Sequence, residues 1–195
     1  MLFRSIGGNC GFTIAPIDEG SADYVINMLS AVEGIPPEAL RAGLNVNWKS
    51  FAEWTAQLEG KMALNCGFMA GHSTIRRLVM GEAWQQPATE AQISRMAELV
   101  DETVSAGAMG FSSSLNEIHN DHLGNPVPSR YSTPEEMVKL ASVLKKHPNT
   151  SLGFQAGNWP KFPESSIKVM GDMSAASGGK PLNWNALTEI GRAHV

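Results

Sequence analysis

The sequence has 195 residues, close to the length of one domain, and it is 43% hydrophobic and 17% charged, which excludes an intrinsically disordered chain. With 15 Lys and Arg against 19 Asp and Glu, the net charge of −4 indicates neither nucleic acid nor an anionic membrane surface as a partner. Two cysteines are too few for a disulfide framework and predict a reducing, cytoplasmic setting. No apolar run approaches the ~20 residues of a membrane-spanning helix.

The first third of the chain predicts a short strand, a helical excursion and a second strand. A strand stub precedes Cys10. Residues 20–60 then predict helices, because Pro36-Pro37 is typical of a helix start and large apolar residues follow at helical spacing: Trp48, Phe51, Trp54 and Leu58. The mostly apolar run Met62–Ala70 predicts a buried strand that exits at Gly71-His72.

The middle of the chain predicts a capped helix followed by a strand. Thr89 and Gln92 have the spacing of a capping box. The apolar residues that follow fall on one helical face: Ile93, Met96, Ala97, Val100 and Val104. Gly107 is well placed to end this helix, since glycine tolerates the left-handed conformation. Residues 108–112 then predict a short strand.

The same pattern repeats towards the end of the sequence. Thr133 is a helix cap, Pro134 suits the first helical position, and Glu136 completes a capping box. The apolar stripe of this helix is Met137, Leu140, Ala141 and Leu144. Ser151–Gln155 predicts a strand. A third helix is indicated by Ile167, Met170 and Met173, and a weaker strand by Pro181–Ala186.

Alternating strands and helices predict an α/β fold with a parallel sheet. A full (β/α)8 TIM-type barrel has eight such units in about 250 residues, so the three clear strands, one weak strand and one stub predict about half of a barrel. A doubly wound sheet is the alternative, although no Gly-rich phosphate turn follows a strand. Open sheet edges carry unpaired backbone groups, so we expect this segment alone to be poorly soluble or to oligomerise.

Both ends of the sequence look foreign to the rest. Residues 189–195 resemble a translated sequencing adapter, and Leu2-Phe3-Arg4-Ser5 resembles the matching adapter. We therefore expect residues 1–5 and 189–195 to be non-native, and the partial barrel to occupy residues 6–188; an ordinary start and tail is the alternative. His194 is accordingly not counted as a ligand.

Cys10 lies in the most distinctive stretch, Gly8–Pro16. A cysteine between small residues at a strand exit can approach a metal or a substrate, and a thiolate is a good zinc ligand. A core thiol is the alternative, and this alternative suits Cys66 better, because Cys66 lies within an apolar run.

Other candidate side chains follow predicted strands, at the end of the barrel where active sites lie. His72 is a candidate for binding substrate or supporting Cys10, or else a structural histidine bonded to backbone carbonyls. Arg130 and Tyr131 are candidates for clamping an anionic substrate. Arg76 and Arg77 are expected on a helix surface.

The long polar loop after residue 112 contains two histidines three residues apart. His119 and His122 flank Asp121, which is either a weak metal pattern or part of a solvated loop. Ser112, Ser113 and Ser114 do not form a nucleophile elbow, because the flanking Gly-x-Ser-x-Gly pattern is absent.

Three segments together resemble the N-acyl-D-amino-acid deacylase (D-aminoacylase) family of the amidohydrolase superfamily. They are Gly8–Pro16, Gly71–Arg76 followed by Met80-Gly81, and Gly107–Leu115. They occur in the family's order, and the likeness covers about residues 6–188. The resemblance implies a metal-bearing (β/α)8 barrel with a small β-sandwich, of which this segment would hold only part of the barrel.

The resemblance also implies a metal site to which this segment contributes Cys10 as a zinc ligand. Zinc or another divalent metal is the implied cofactor. The family's His-x-His motif and catalytic aspartate have no counterpart here, so no catalytic residue is assigned within the chain. The family's fifth and sixth strands normally bring histidines, whereas Leu152–Asn158 and Pro181–Asn185 contain none.

The resemblance implies that the parent protein hydrolyses the amide of a small N-acylated D-amino acid or a related compound. One alternative is an amidohydrolase acting on another C–N bond, such as a cyclic amide, because barrel folds host many chemistries. A second alternative is a divergent barrel that binds a small acylated metabolite without cleaving it. The acyl group, the amino-acid side chain and the oligomeric state are not indicated by the sequence.

Overall fold

The structure is a computed structural model that describes residues 4–157 and 163–184. Its strands are β1 (Arg4–Gly7), β2 (Asn65–Phe68), β3 (Ala70–Gly71), β4 (Gly110–Ser114), β5 (Ser151–Gln155) and β6 (Leu182–Trp184). Every pairing between them is parallel. β1 pairs with β2, and β3 to β6 lie side by side in chain order. Sequential parallel order, without reversal of direction in the sheet, is the arrangement of a barrel and not of a doubly wound sheet.

A single residue, Met69, interrupts the strand that β2 and β3 share. Its amide donates to the Gly7 carbonyl at 3.0 Å, and the Met109 amide donates to the Phe68 carbonyl at 2.8 Å. These bonds continue the ladder on both sides of the interruption. The described strands therefore form one curved, parallel layer with five strand positions, which confirms the predicted partial (β/α)8 barrel.

Seven helices lie among the described residues. They are α1 (Glu19–Glu33), α2 (Pro37–Gly43), α3 (Phe51–Ala56), α4 (His72–Met80), α5 (Glu90–Ser105), α6 (Pro134–Ser142) and α7 (Glu164–Ala176). The first three form the helical excursion that the sequence predicts between β1 and β2. Trp48, Phe51 and Trp54 are buried in the main core as their spacing indicates, although Trp48 precedes α3. Of the helices in residues 4–157 and 163–184, none is long and apolar enough to cross a membrane.

The predicted strand boundaries need two corrections. The buried strand predicted over Met62–Ala70 is shorter: Met62 and Leu64 are exposed, and the half-buried β2 begins at Asn65. The strand predicted at residue 108 begins at Gly110, because the Ala108 amide still donates to the Thr103 carbonyl at the end of α5. Ser151–Gln155 is a strand as predicted.

The helix caps confirm most of the predicted starts. Thr89 and Gln92 form both halves of a capping box at α5. At α6 the Thr133 hydroxyl accepts from the Glu136 amide, but the predicted return bond from the Glu136 side chain is wrong. That carboxylate is buried against His72 and Arg76 instead, because two buried donors hold it more strongly than one amide at the helix start could.

The third predicted helix is present as α7, but one of its predicted core residues is wrong. Ile167 is 53% exposed, whereas Val169, Met170 and Met173 pack against the core. The expectations about residues 1–3 and 185–195, including His194, and about Asn158 and Asn185, lie outside the described residues.

Candidate site at the barrel mouth

The residues of β4 alternate between two environments. Phe111 packs in the core beneath the helices, and Ser113 bonds to His72 at the start of α4. Ser112 points the other way and donates to the Gly8 carbonyl at the end of β1. Because successive side chains of a strand face opposite sides, Ser114 lies on the same inner face as Ser112. We call the inner face at the carboxyl ends of the strands the barrel mouth.

Cys10 lies at the barrel mouth in a tight turn that follows β1. Its φ is +61°, a left-handed conformation that is uncommon for residues other than glycine. The turn needs glycine at residue 8, where φ is +79° and an added Cβ would lie 2.9 Å from the Met69 carbonyl oxygen. Ser112 holds the turn, because its hydroxyl also accepts from the Gly11 amide at 3.1 Å.

The Cys10 thiol reaches the end of β5. Its Sγ lies 3.8 Å from the Oε1 atom of Gln155, to which it donates a hydrogen bond. Cys10 is half-buried, not enclosed in the core. The structure thus places the thiol where the sequence predicts it, at the edge where β1, β4 and β5 end. Cys66, expected in the core, is only half-buried in β2.

The donors around Cys10 do not complete a zinc site. Among residues 4–157 and 163–184, no group of three or more His, Cys, Asp or Glu side chains is placed to hold a metal. The neighbour of the thiol is an amide, which is a poor zinc ligand compared with imidazole or thiolate. The described residues therefore do not assemble a complete zinc site around Cys10.

His119 in the loop after β4 is held by Ser114. The His119 Nδ1 atom lies 2.7 Å from the Ser114 hydroxyl, and the ring meets Phe12 edge-on with centroids 5.0 Å apart. Burial, with a smaller contribution from the positive charge of Arg130, lowers the pKa of His119 from 6.5 to about 4. The imidazole is therefore neutral at physiological pH. We refer to Cys10, Ser114, His119 and Gln155 as the mouth cluster.

The His119-x-x-His122 pattern is not assembled as a metal site. His122 is exposed and packs on Tyr24. Asp121 is buried and accepts from the Leu123 amide and, at 3.1 Å, from the Tyr24 hydroxyl. Burial and this carboxylate raise the pKa of Tyr24. The Tyr24–Asp121 bond ties the loop to α1, while other parts of the loop, such as Leu123 at 72%, are exposed to solvent. The structure thus favours the solvated-loop alternative over a metal pattern.

Arg130 and Tyr131, although adjacent in sequence, make different contacts. Arg130 Nη1 donates to the carbonyls of Glu117 and His119, at 3.0 and 3.2 Å. Tyr131 packs edge-on against Trp84. In the described residues the two side chains serve different contacts, so the structure does not bring them together as the predicted clamp.

A second polar cluster lies on the opposite side of the sheet. His72 is fully buried, with Nδ1 2.8 Å from the Ser113 hydroxyl and Nε2 2.8 Å from Oε1 of Glu136. The other oxygen of Glu136 accepts from Arg76. We refer to His72, Arg76, Ser113 and Glu136 as the buried network. Both ring nitrogens are occupied, which favours the structural role for His72, with side-chain partners instead of the expected backbone carbonyls.

The Glu136 carboxylate of the buried network is paired with Arg76 and His72. Burial alone would raise the pKa of Glu136, but hydrogen bonds and charge from His72 and Arg76 outweigh it and lower the pKa of this carboxyl. Arg76 also donates to the carbonyls of Trp84 and Gln86. The expectation that Arg76 and Arg77 lie on a helix surface is wrong: both are buried. The sequence gives no sign that Glu136 is buried, because a glutamate at the third position of a helix is typical of an exposed capping residue.

The fold is that of part of an amidohydrolase-type barrel. A solved D-aminoacylase superposes on 97% of this chain with a TM-score of 0.68 at 21% identity, and 36% of that chain is covered. An N-acyl-D-glutamate deacylase from Bordetella bronchiseptica superposes with a TM-score of 0.56 at 16% identity over 93% of this chain and 40% of its own.

Sequence relatives agree with the fold, although no family model matches the chain. A D-aminoacylase of Alcaligenes xylosoxydans xylosoxydans is 27% identical over 143 residues, covering 73% of this chain and 25% of its own length. An uncharacterised protein of Mycobacterium bovis is 31% identical over 151 residues, 71% of this chain and 24% of its own. The relatives that have a named activity, and the structural neighbours, are thus D-aminoacylases and related deacylases. The chain spans about a quarter of the length of the curated relatives it matches.

Proposed function

We propose that the intact protein is a hydrolase that cleaves the amide bond of N-acyl-D-amino acids. The observation that carries the proposal is the Cys10 thiol at the barrel mouth, where β1, β4 and β5 end. Active sites of barrel enzymes lie at this end of the strands. Relatives named D-aminoacylase and N-acyl-D-aspartate deacylase support the substrate class.

We propose Cys10 as the metal ligand that this segment contributes, with zinc or another divalent ion as the cofactor. Three neighbouring structures concern metal: a binuclear centre in D-aminoacylase, a D-aminoacylase variant with copper chloride, and the N-acyl-D-glutamate deacylase with zinc and a phosphonate inhibitor. A divalent ion lowers the pKa of its bound water and polarises a carbonyl. Among the described residues we assign one ligand, Cys10, and no catalytic step.

His72, Arg130 and Tyr131 contribute to the proposed site through the segments that they hold. His72 fixes the start of α4 to β4 through Ser113, and Arg130 holds the loop that carries His119. Tyr131 packs edge-on against Trp84, which follows α4. Their role in this proposal is to position the rim of the site around a small acylated substrate.

The test compares the intact protein with its Cys10→Ser variant. Hydrolysis of N-acetyl-D-amino acids, with L-enantiomers and cyclic amides as competing substrates, is measured alongside bound metal. Because even outer-shell changes cost about 10–100-fold, we expect Cys10→Ser to lose at least about 100-fold in activity and to lose metal. Cys66→Ser, in β2, is the matched control and should keep both. Full metal and activity in Cys10→Ser would contradict the proposal.

A related expectation concerns the 195-residue chain by itself. Removing a proton shuttle costs about 10²–10⁴-fold in rate. We assign no shuttle to the described residues, which contain no group of three or more His, Cys, Asp or Glu side chains placed to hold a metal. We therefore expect no measurable deacylase activity from this chain alone. Turnover by the purified, metal-loaded chain would overturn that expectation.

One observation favours a second function, a barrel that binds an acylated metabolite without cleaving it. Gln155, an amide, lies beside the thiol, where the fifth strand of the resembled family brings a histidine. An intact protein that is free of metal in its native state and binds N-acetyl-D-amino acids without turnover would establish this alternative.

We also propose a cytoplasmic location, because Cys10 and Cys66 are not joined in a disulfide.

A further inference from the structure

His119 is the one histidine of the mouth cluster, and the structure fixes its ring from one side only. Ser114 holds Nδ1 at 2.7 Å, and Phe12 packs against the ring. Within residues 4–157 and 163–184, the ring nitrogen Nε2 forms no hydrogen bond. His119 is half-buried, and its Nε2 atom is not among the enclosed, unbonded polar atoms of the described residues, so a small molecule can reach this nitrogen.

The hydrogen bonds of Ser114 determine which ring nitrogen carries the proton. The Ser114 hydroxyl oxygen already accepts from the Asn116 amide at 3.1 Å. In the described part of the chain, the only acceptor within reach of its hydrogen is Nδ1 of His119. A buried hydroxyl hydrogen without an acceptor is costly, so Ser114 donates to Nδ1. The proton of the neutral imidazole is then on Nε2.

The surroundings keep the ring neutral and in place. Burial lowers the pKa of His119 to about 4, and the nearby Arg130 guanidinium acts in the same direction. Arg130 also bonds to the His119 carbonyl, which fixes the backbone that carries the ring. His119 thus presents a neutral, oriented N–H group over a wide range of pH.

The position of Ser114 in the sheet brings this group to the proposed substrate site. Ser114 is the register partner of Gln155 in the neighbouring strand, and Gln155 accepts from the Cys10 thiol. The Phe12 ring that touches His119 follows Cys10 by two residues. The imidazole and the thiol therefore border the same end of the barrel.

We propose that His119 contacts the substrate: its Nε2–H group donates a hydrogen bond to an oxygen of the N-acyl amino acid bound beside Cys10. Ser114 is a positioning residue, because it acts through the imidazole. This inference rests on the proposed function and adds a named substrate contact to it. A metal ligand at the same nitrogen would need a lone pair there, which the bond from Ser114 excludes.

The test uses the intact protein and the His119→Phe variant, which keeps an aromatic ring against Phe12 and removes the donor. A hydrogen bond is worth about 0.5–1.5 kcal/mol, so we expect kcat/KM for N-acetyl-D-methionine to fall about tenfold, mainly through KM. His119→Gln, which retains an N–H donor, should recover part of the loss. Ser114→Ala should lose about threefold, since the ring remains but its orientation is released.

His122→Phe is the matched control, because it is the same change in the same loop on an exposed ring that packs on Tyr24. We expect it to keep the wild-type kcat/KM. Unchanged kinetics in His119→Phe, or equal losses in both variants, would overturn the proposed contact.

A second measurement remains decisive if the intact protein hydrolyses nothing and the proposed function fails. Nitrogen-15 NMR of labelled histidine reports which ring nitrogen of His119 is protonated, and titration with N-acetyl-D-methionine reports contact. A protonated Nε2 whose resonance shifts saturably supports the inference. A proton on Nδ1, zinc bound at Nε2, or no shift on titration overturns it.

Discussion

The buried network and the mouth cluster are built from similar residues but differ in how completely their polar atoms are satisfied. In the buried network, both nitrogens of His72 and both oxygens of Glu136 have partners within the protein. In the mouth cluster, His119 keeps one nitrogen available, and the Cys10 thiol has a weak bond to Gln155. A polar group whose hydrogen bonds are all formed within the protein stabilises the fold, whereas the unbonded ring nitrogen of His119 can serve a ligand.

Adjacent residues of one strand supply both clusters. Ser113 faces the helices and holds His72, while Ser114 faces the barrel mouth and holds His119. The alternation of side chains along β4 is therefore what separates the structural cluster from the candidate site. Substitutions in the two clusters should separate in the same way: large effects on stability in the first, small ones in the second.

The largest effect is expected from Glu136→Gln in the buried network. This change leaves the Arg76 charge buried without its carboxylate, and breaking a buried pair costs about 3–5 kcal/mol. Urea unfolding of the intact protein measures it. Glu135→Gln, an exposed neighbour on the same helix, should change stability by less than about 0.5 kcal/mol. Equal effects at the two positions would contradict a stabilising role for the network.

Ser113→Ala should have an intermediate effect. It leaves Nδ1 of fully buried His72 without a partner, at a cost of about 1–3 kcal/mol. The exposed Ser105 of α5 is a matched control for the loss of a hydroxyl. A cost below that of Ser105→Ala in urea unfolding would show that the Ser113 bond contributes nothing.

Acidification should affect the two clusters in different pH ranges. Unfolded His119 binds a proton below its ordinary pKa of 6.5, but the folded protein does so only near 4, so stability falls as the pH drops through this range. Glu136 is an acid whose pKa is lowered in the folded protein. Its contribution to the free energy of unfolding is therefore lost as the pH falls below 4.5, the ordinary pKa of this carboxyl.

Unfolding free energies measured from pH 7 to pH 3 test this difference. His119→Phe should flatten the decline between about pH 6.5 and 4, whereas Glu136→Gln should flatten only the more acidic part. An unchanged profile in His119→Phe would mean that its imidazole titrates alike in the folded and unfolded protein.

The smallest effect on stability is expected from Gln155→Leu at the barrel mouth. The side chain is of similar size, and it loses only a weak bond from a thiol, so the cost should stay below about 1 kcal/mol. Unfolding in urea checks this value. A loss as large as that of Glu136→Gln would place Gln155 among the structural residues and remove the contrast between the clusters.

Local patterns predicted the helices better than they predicted their polar side chains. Thr89 and Thr133 mark the starts of α5 and α6 because a capping hydroxyl acts on an amide only three residues away. The same local rule gave the wrong partner for the Glu136 side chain. Its partners, His72 and Arg76, lie 60 or more residues away in sequence, and no local pattern encodes such a contact.

In the candidate site, too, the sequence predicted local features but not the contacts between distant residues. The small residues that flank Cys10 and the family resemblance were enough to identify it as a candidate ligand, and it lies at the predicted edge of the sheet. His119 could be noted only as half of a weak metal pattern. Its orientation depends on Ser114, and Gln155 meets Cys10 across 145 residues of sequence. Those contacts depend on how the strands pair in the folded protein, which no local sequence pattern specifies.

By itself the sequence determined the alternation of strands and helices, most helix starts, and the strand exit that carries Cys10, since each depends on side-chain periodicity or on contacts within a few residues. Only the tertiary structure decided that Arg76 and Glu136 are buried together and that Ser114 at the end of β4 holds His119. Those placements follow from the register of parallel strands, which brings distant parts of the chain to one face of the sheet.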